Sequence, residues 1–169
     1  MFAMVKTAVR LIQDLEMAKK LSAGIVLYRR REAGLEVLIL HPGGPFWSNK
    51  DDGAWSIPKG EYLEGEDPFS VAKREFFEET GSELIGRGVE LTPAKQPSGK
   101  IIRAWAVEGD IDAASIYSNT FSMEWPPRSG RVQEFPEIDR ALWCELTVAR
   151  RKLLPGQRPL LDELERRLD

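Results

Sequence analysis

Three glutamates near the middle of the chain have the type and spacing to bind a metal ion together. Glu75, Glu78 and Glu79 stand at positions i, i+3 and i+4 within the segment REFFEETG, residues 74–81. In a helix this spacing makes the three side chains neighbours on one face, within an arc of roughly 100°. Clustered carboxylates are hard oxygen ligands of the kind that Mg²⁺ or Mn²⁺ takes, with water and substrate phosphates completing the shell.

The residues around this segment predict that it is helical. Asp67 can cap the N-terminus, Pro68 suits the first helical position, and Gly81 can end the helix in the left-handed conformation. One face of the predicted helix carries apolar residues that would pack on a sheet, namely Phe69, Ala72 and Phe76. The glutamates would then project from a rigid, anchored element.

The stretch from Gly60 to Gly81 resembles the Nudix box, the signature of the Nudix hydrolase family. That signature is Gly, five residues, Glu, seven residues, Arg-Glu, an apolar residue, any residue, Glu-Glu, any residue and Gly, then an apolar residue. Its fixed positions are matched here by Gly60, Glu66, Arg74, Glu75, Phe76, Glu78, Glu79 and Gly81. Ser82 stands at the final position of the signature, where an apolar residue is usual. This departure affects local packing and not the metal site. The match favours a metal site over the plainer interpretation, a solvated acidic helix held by ion pairs.

The resemblance implies hydrolysis of a pyrophosphate bond in a nucleoside diphosphate linked to another moiety. Water is the nucleophile, and Mg²⁺ is the implied cofactor, with Mn²⁺ as an alternative. Glu75 and Glu79 are implied chiefly as metal ligands, and Glu78 as both a ligand and an activator of water. Gly60 is counted with the metal site. The family varies in which carboxylate is the base, so that division of roles stays open.

Two other charged groups are expected to complete the site. Arg74 should pair with Glu66 or with one of the three glutamates, and so keep the cluster ionised and oriented. Family members often add a carboxylate from outside the box. Glu137 is the better candidate and Glu134 the second, because both lie in a loop just before a strand that contains Trp143. Either could equally be a solvated loop acid.

Four residues are the leading candidates for contacts with the substrate: Lys59, Arg103, Trp47 and Trp55. Weaker candidates are Lys100, Arg128 and Arg131 for the outer phosphates, and Trp105 and Trp125 for stacking on a base. Lys59 directly precedes the box and could reach a phosphate, or could be a solvated turn lysine. Arg103 lies inside a predicted strand, where a charge faces either a polar cleft or an exposed edge. The tryptophans could stack on a nucleobase, although a tryptophan in a strand is more often part of the core.

Composition excludes several other classes of function. The chain has 169 residues, which suits one domain, and a net charge of −3, which argues against nucleic acid or an anionic membrane as a partner. One histidine, His41, and one cysteine, Cys144, argue against a zinc site or a Cys/His nucleophile pair. A single cysteine forms no internal disulfide, which fits a cytoplasmic setting. No apolar run approaches membrane-spanning length.

The order of elements predicts an α+β fold with a mixed sheet flanked by helices. Strands are predicted at 21–30, 36–41, 54–58, 83–92, 101–107, 118–125 and 138–146, and helices at 68–80, 148–154 and 160–168. The resemblance implies the Nudix α/β/α sandwich. Residues 1–16 are predicted as an N-terminal extension, helical if Val5, Val9, Ile12 and Leu15 share a face. Residues 17–169 are predicted as the Nudix domain.

The box predicts the reaction but leaves the second moiety of the substrate open. The segments WSIPKG at 55–60 and WPPRSGR at 125–131 resemble the diadenosine-polyphosphate group, so a diadenosine polyphosphate or an NTP is the leading expectation. A nucleotide sugar or ADP-ribose is the alternative. The intact carboxylates argue against a non-catalytic nucleotide-sensing module. The lack of a basic run argues against RNA decapping. A homodimer is compatible with the sequence.

Overall fold

The computed structural model describes residues 2–18 and 21–169. Met1, Lys19 and Lys20 lie outside the described residues, as do the side chains of residues 2 and 12–18, so the predicted contributions of Ile12 and Leu15 to an apolar face lie outside them too. The predicted N-terminal helix is present as α1, Phe2–Ala18. Within the described residues, no helix is long and apolar enough to cross a membrane.

The described residues contain a seven-stranded mixed sheet and a separate two-stranded hairpin. The strands are β1 (Leu21–Arg31), β2 (Gly34–Pro42), β3 (Lys59–Glu61), β4 (Val89–Glu90), β5 (Ala94–Lys95), β6 (Ile101–Glu108), β7 (Thr120–Glu124), β8 (Val132–Pro136) and β9 (Ile138–Glu145). The large sheet has the order β4-β6-β1-β2-β9, with β3 on β1 and β5 on β6. β1 and β6 run parallel, and the other pairs in this sheet run antiparallel. The hairpin is β7 with β8.

Four parts of the predicted strand pattern differ from the structure. One is β5, which lies where no strand is predicted and pairs with β6. Residues 54–58 make only isolated bridges, from Ser56 to Leu40 and from Trp55 to Leu153, and the strand begins at β3 instead. The predicted strand at 83–92 is reduced to β4, because only that part pairs with β6. β8 lies in a segment predicted to be a loop, because its polar residues do not give a clear strand pattern. The strand forms through its pairing with β7.

Helix α2, Pro68–Thr80, packs on one face of the sheet as predicted. Asp67 caps it by accepting the N–H of Ser70 at 2.9 Å, and Gly81 ends it with a φ of 76°. Its buried apolar residues pack against β1, β2 and β6 and are Val71, Ala72 and Phe76. Phe69 lies against Trp105, with ring centroids 5.2 Å apart. This anchoring fixes the rotation of the helix and therefore the direction of its glutamates.

Two helices cover the opposite face, α3 (Leu146–Lys152) and α4 (Arg158–Leu168), joined through a 3₁₀ turn at Pro155–Gln157. Gln157 is fully buried there. Its amide oxygen accepts the N–H of Ile57 at 2.9 Å, and its amide nitrogen donates to Ser56 Oγ at 2.9 Å. These bonds hold the segment that leads into β3. Helices therefore flank both faces of a mixed sheet, which confirms the predicted α+β sandwich.

Candidate active site

The glutamates of α2 lie where β3 runs past the helix. The backbone N–H of Lys59 donates to Glu79 Oε2 at 3.1 Å, and Gly60 lies directly against the side chain of Glu75. Glu75 keeps 16% of its side chain exposed and Glu78 keeps 35%. The three glutamates thus differ in access to solvent: Glu75 and Glu79 are enclosed by β3, and Glu78 is the most open.

A chain of backbone hydrogen bonds connects Glu137 to the same helix. Asn119 donates its N–H to the carbonyl oxygen of Glu78 at 2.8 Å, and Glu137 donates its own N–H to the carbonyl of Asn119 at 2.8 Å. Gly43 in turn donates to the carbonyl of Glu137 at 2.8 Å. These bonds place Glu137 beside the end of α2, near enough for its carboxylate to repel those of Glu75, Glu78 and Glu79.

The electrostatics of the cluster show an excess of buried negative charge. Burial raises the pKa of Glu79 to about 8, although the ammonium and backbone N–H of Lys59 act in the opposite direction. Burial, followed by repulsion from Glu78, raises the pKa values of Glu75 and of Glu137. Burial also lowers the pKa of Lys59. Among the described residues Lys59 is the one cation enclosed with these carboxylates, and burial disfavours its charged form.

Arg74 makes the contacts that the sequence predicts for it. Its guanidinium lies 3.7 Å from Glu66, 3.9 Å from Glu75 and 3.9 Å from Glu78, measured between nitrogen and oxygen atoms. Half of the Arg74 side chain is exposed, so these pairs add little to stability. These pairs orient the side chains, because one planar guanidinium faces three carboxylates at once.

The carboxylates fit a divalent cation by chemistry and charge. In the described part of the chain, no three acidic, histidine or cysteine side chains converge closely enough to form a ready ligand set. Like charges repel, and Glu75 and Glu79 make separate contacts, with Gly60 and with the N–H of Lys59. Small rotations of flexible glutamate side chains would bring hard oxygen ligands together. A divalent cation would also offset the repulsion that raises their pKa values.

Trp55 belongs to the core and offers little surface to a substrate, so its contact with the substrate stays a prediction. Only 4% of it is exposed, and its indole N–H donates to Asp51 Oδ1 at 2.7 Å. Its ring meets that of His41 edge-on, with centroids 5.0 Å apart. Trp47 is half-buried against the same core, with Lys50 Nζ 4.9 Å from its ring centroid. A substrate contact by Trp47 stays a prediction.

Arg103 and Glu134 each pair with a residue of a neighbouring strand, and their roles in the site stay predictions. Arg103 donates from Nε and Nη2 to Glu90 Oε1, at 2.9 and 2.6 Å, at the β4 edge of the sheet. Glu134 is exposed on β8 and accepts the hydroxyl of Thr120 across the hairpin. Each charge already has a partner from a neighbouring strand, and strand pairing of this kind is not evident from sequence position alone.

Asn119 positions the site, although no sequence pattern predicts it. It connects Glu78 to Glu137 through backbone groups alone. A backbone role places no demand on the type of side chain, so no sequence signal could have identified it.

A known protein family matches nearly the whole chain and not only the box. The sequence model of the NUDIX domain matches residues 18–164. The chain belongs to the NUDIX family. Comparison with curated protein sequences gave no match. Membership confirms the resemblance carried by the box and makes the protein a Nudix hydrolase, a class of enzyme that hydrolyses pyrophosphate bonds.

Solved structures share the fold of this Nudix hydrolase at low sequence identity. The C. elegans Ap4A hydrolase, solved as a binary complex, is 22% identical with a TM-score of 0.58, over 87% of this chain and 97% of that chain. The NUDIX domain of Shewanella oneidensis NrtR, complexed with ADP ribose, is 17% identical with a TM-score of 0.59, over 88% of each chain. The MutT protein of Methanosarcina mazei is 18% identical with a TM-score of 0.53, over 88% and 94%. At these identities the likeness shows the fold alone.

Proposed function

We propose that this Nudix hydrolase cleaves a pyrophosphate bond in a nucleoside polyphosphate, either a diadenosine polyphosphate or an NTP. Mg²⁺ is the proposed cofactor, with Mn²⁺ as an alternative. The observation that carries the proposal is the grouping of Glu75, Glu78 and Glu79 at the end of α2 beside β3, with Glu137 near enough to repel them. Burial raises the pKa of three of these carboxylates. Grouped buried charge is unfavourable without a compensating cation, which supports a metal-binding role.

The differences in burial suggest which carboxylates bind the metal and which one activates water. Glu75 and Glu79 are assigned chiefly to holding the cation, together with Glu137 and the backbone of Gly60. A bound divalent cation would neutralise phosphate oxygens and lower the pKa of a coordinated water. Glu78 is the most open of the box glutamates, so it can accept the proton from an attacking water.

The two cations of the site have separate proposed roles. Arg74 is a positioning residue, because it faces Glu66, Glu75 and Glu78 at 3.7–3.9 Å. Lys59 is enclosed with Glu79 and is proposed to contact a phosphate oxygen when substrate binds. Both roles place positive charge where the charge of a pyrophosphate must be stabilised.

Other assignments from the sequence remain predictions. A nucleotide sugar or ADP-ribose is the alternative substrate, since the NrtR domain that shares the fold was solved with ADP ribose. The complete set of carboxylates argues against a non-catalytic sensing module. Cytoplasmic location and a homodimer stay predictions.

A substrate panel tests the proposal. Diadenosine tetraphosphate, NTPs, 8-oxo-dGTP, ADP-ribose and nucleotide sugars would be incubated with Mg²⁺ and the products identified by mass spectrometry. We expect cleavage of the nucleoside polyphosphates by the wild type, loss of cleavage in EDTA, and a fall of orders of magnitude for Glu78→Gln. Glu32→Gln, which changes an exposed carboxylate in the turn between β1 and β2, is the matched control and should stay active. Metal-independent cleavage or an active Glu78→Gln enzyme would contradict the proposal.

A further inference from the structure

An exposed aromatic pair joins the loop after β2 to the β7–β8 hairpin. Phe46, in the loop after β2, and Trp125, at the end of β7, have ring centroids 5.5 Å apart and planes inclined by 79°. Phe46 keeps 60% of its surface exposed, while Trp125 is half-buried. The edge-to-face arrangement holds the two rings against each other and leaves aromatic surface open to a ligand.

The loop that carries Phe46 follows the hairpin outward from the carboxylates. Gly43 bonds to the carbonyl of Glu137, and Gly44 lies directly under the ring of Phe121. Phe46 then meets Trp125 at the outer end of β7. The five residues of extended strand between Thr120 and Trp125 span about 16 Å. The aromatic pair is therefore joined to the catalytic end of the molecule but lies well away from it.

Other contacts already secure the hairpin to this loop. The rings of Phe121 and Phe135 pair across the hairpin with centroids 6.0 Å apart, and Phe121 packs on Gly44. The exposed ring of Phe46 adds little burial to this packing. Its position thus calls for a different explanation from that of the inner aromatic residues.

Positive charge lies next to the aromatic pair. The turn that joins β7 to β8 carries two exposed arginines, Arg128 and Arg131. The N–H of Trp125 donates to the carbonyl of Arg131 at 2.9 Å, which places that arginine across the hairpin from the indole. Aromatic rings beside flexible cations suit a base with its phosphates, because stacking tolerates any base and arginine binds phosphate oxygens.

We propose that Phe46 and Trp125 form a nucleobase subsite remote from the cleaved bond, with Arg128 and Arg131 contacting the attached phosphates. This inference rests on the proposed function and selects the substrate class within it. An NTP cleaved next to its nucleoside keeps its only base close to the carboxylates. A dinucleoside polyphosphate has a second base separated by several phosphates, and that base can reach the aromatic pair. The subsite therefore favours dinucleoside polyphosphates over NTPs.

Kinetics with two substrates test this subsite. Phe46→Ala and Trp125→Ala should each raise KM for diadenosine tetraphosphate about tenfold, since stacking on one aromatic ring is lost. Neither should change kcat for that substrate or KM for ATP more than about twofold. Val132→Ala is the control, because Val132 is apolar and 73% exposed in the same hairpin but offers no ring for stacking. Equal changes for both substrates, or no change for either, would overturn the subsite.

Two additional measurements distinguish a failure of the subsite from a failure of the proposed function. Phe46→Tyr and Trp125→Phe should keep a low KM, which distinguishes lost stacking from a disturbed hairpin. If the wild type with Mg²⁺ cleaves neither substrate, the proposed function has failed. The subsite is then tested by calorimetric binding of diadenosine tetraphosphate. Weaker binding by both alanine variants, with the control unchanged, would still support it, and unchanged binding would refute it.

Discussion

Gly60 and Glu75 are in direct contact between β3 and α2. A β-carbon placed on Gly60 would lie 2.0 Å from Glu75 Cδ and 2.4 Å from Glu75 Oε1. No side chain fits at position 60 while the carboxylate keeps its place. The glycine that opens the box is thus required for close approach of the backbone to a candidate metal ligand.

Gly60→Ala should therefore impair activity more than stability. The clashing atoms form the end of a flexible side chain, so Glu75 can rotate away with little loss of folding free energy. Its carboxylate would then leave the metal site, and we expect affinity for Mg²⁺ and kcat/KM to fall about 10- to 100-fold. The measurements are thermal unfolding and activity titrated with Mg²⁺.

Gly34→Ala provides the opposite control for that experiment. Gly34 has a φ of 128° between β1 and β2, and among the described residues beyond its chain neighbours no atom lies within 4 Å of where a β-carbon would stand. The backbone conformation alone strains an alanine there, so stability should fall by more than about 1 kcal/mol while activity per folded molecule stays unchanged. If Gly60→Ala behaved like Gly34→Ala, the contact with Glu75 would have no catalytic importance.

Raised carboxylate pKa values predict how stability without metal depends on pH. The pKa of Glu79 rises from its ordinary value of 4.5 to about 8 in the folded state. Between those pH values the folded state binds more protons than the unfolded state, so the free energy of unfolding falls as pH rises. The raised pKa values of Glu75 and Glu137 act in the same direction. Thermal unfolding in EDTA across this window should show the decline.

The same experiment identifies the group responsible. Glu79→Gln should flatten the decline, because it removes the carboxylate with the largest shift. Mg²⁺ should stabilise the wild type most at the upper end of the window, since metal binding requires ionised carboxylates. A metal-free protein that became more stable from pH 4.5 to 8 would contradict the buried cluster.

The predictable parts of this structure are those specified by neighbours in the chain. Helix α2 has its cap at Asp67, its stop at Gly81 and its apolar face within one short segment, so its limits are evident from sequence. The burial of Trp55 depends on His41 and on the bridge to Leu153, which are far away in sequence. The same applies to Arg103, which pairs with a residue of the neighbouring strand β4. Contacts between residues that are distant in sequence determine this burial and this ion pair, and local sequence patterns do not reveal such contacts.

Trp55→Phe tests whether that tryptophan is structural. The change removes the N–H that donates to Asp51, while the bond from Lys152 Nζ to Asp51 at 2.7 Å remains. We expect the free energy of unfolding to fall by about 1–3 kcal/mol, from the lost hydrogen bond and the smaller ring. KM should not change. Chemical denaturation and steady-state kinetics measure the two effects, and a raised KM with unaltered stability would support the role in substrate binding.

Removal of residues 1–16 tests the division between the N-terminal extension and the Nudix domain. The NUDIX match begins at residue 18, and apolar side chains of α1 such as Met4 and Leu11 are 79% and 57% exposed. Because these side chains lie in solvent, their loss should leave kcat within about twofold of the full-length value and the unfolding temperature nearly unchanged. Kinetics and size-exclusion chromatography of both forms provide the comparison. A large loss of activity with a smaller apparent size would instead show that α1 joins two copies of the chain and that the active site depends on that contact.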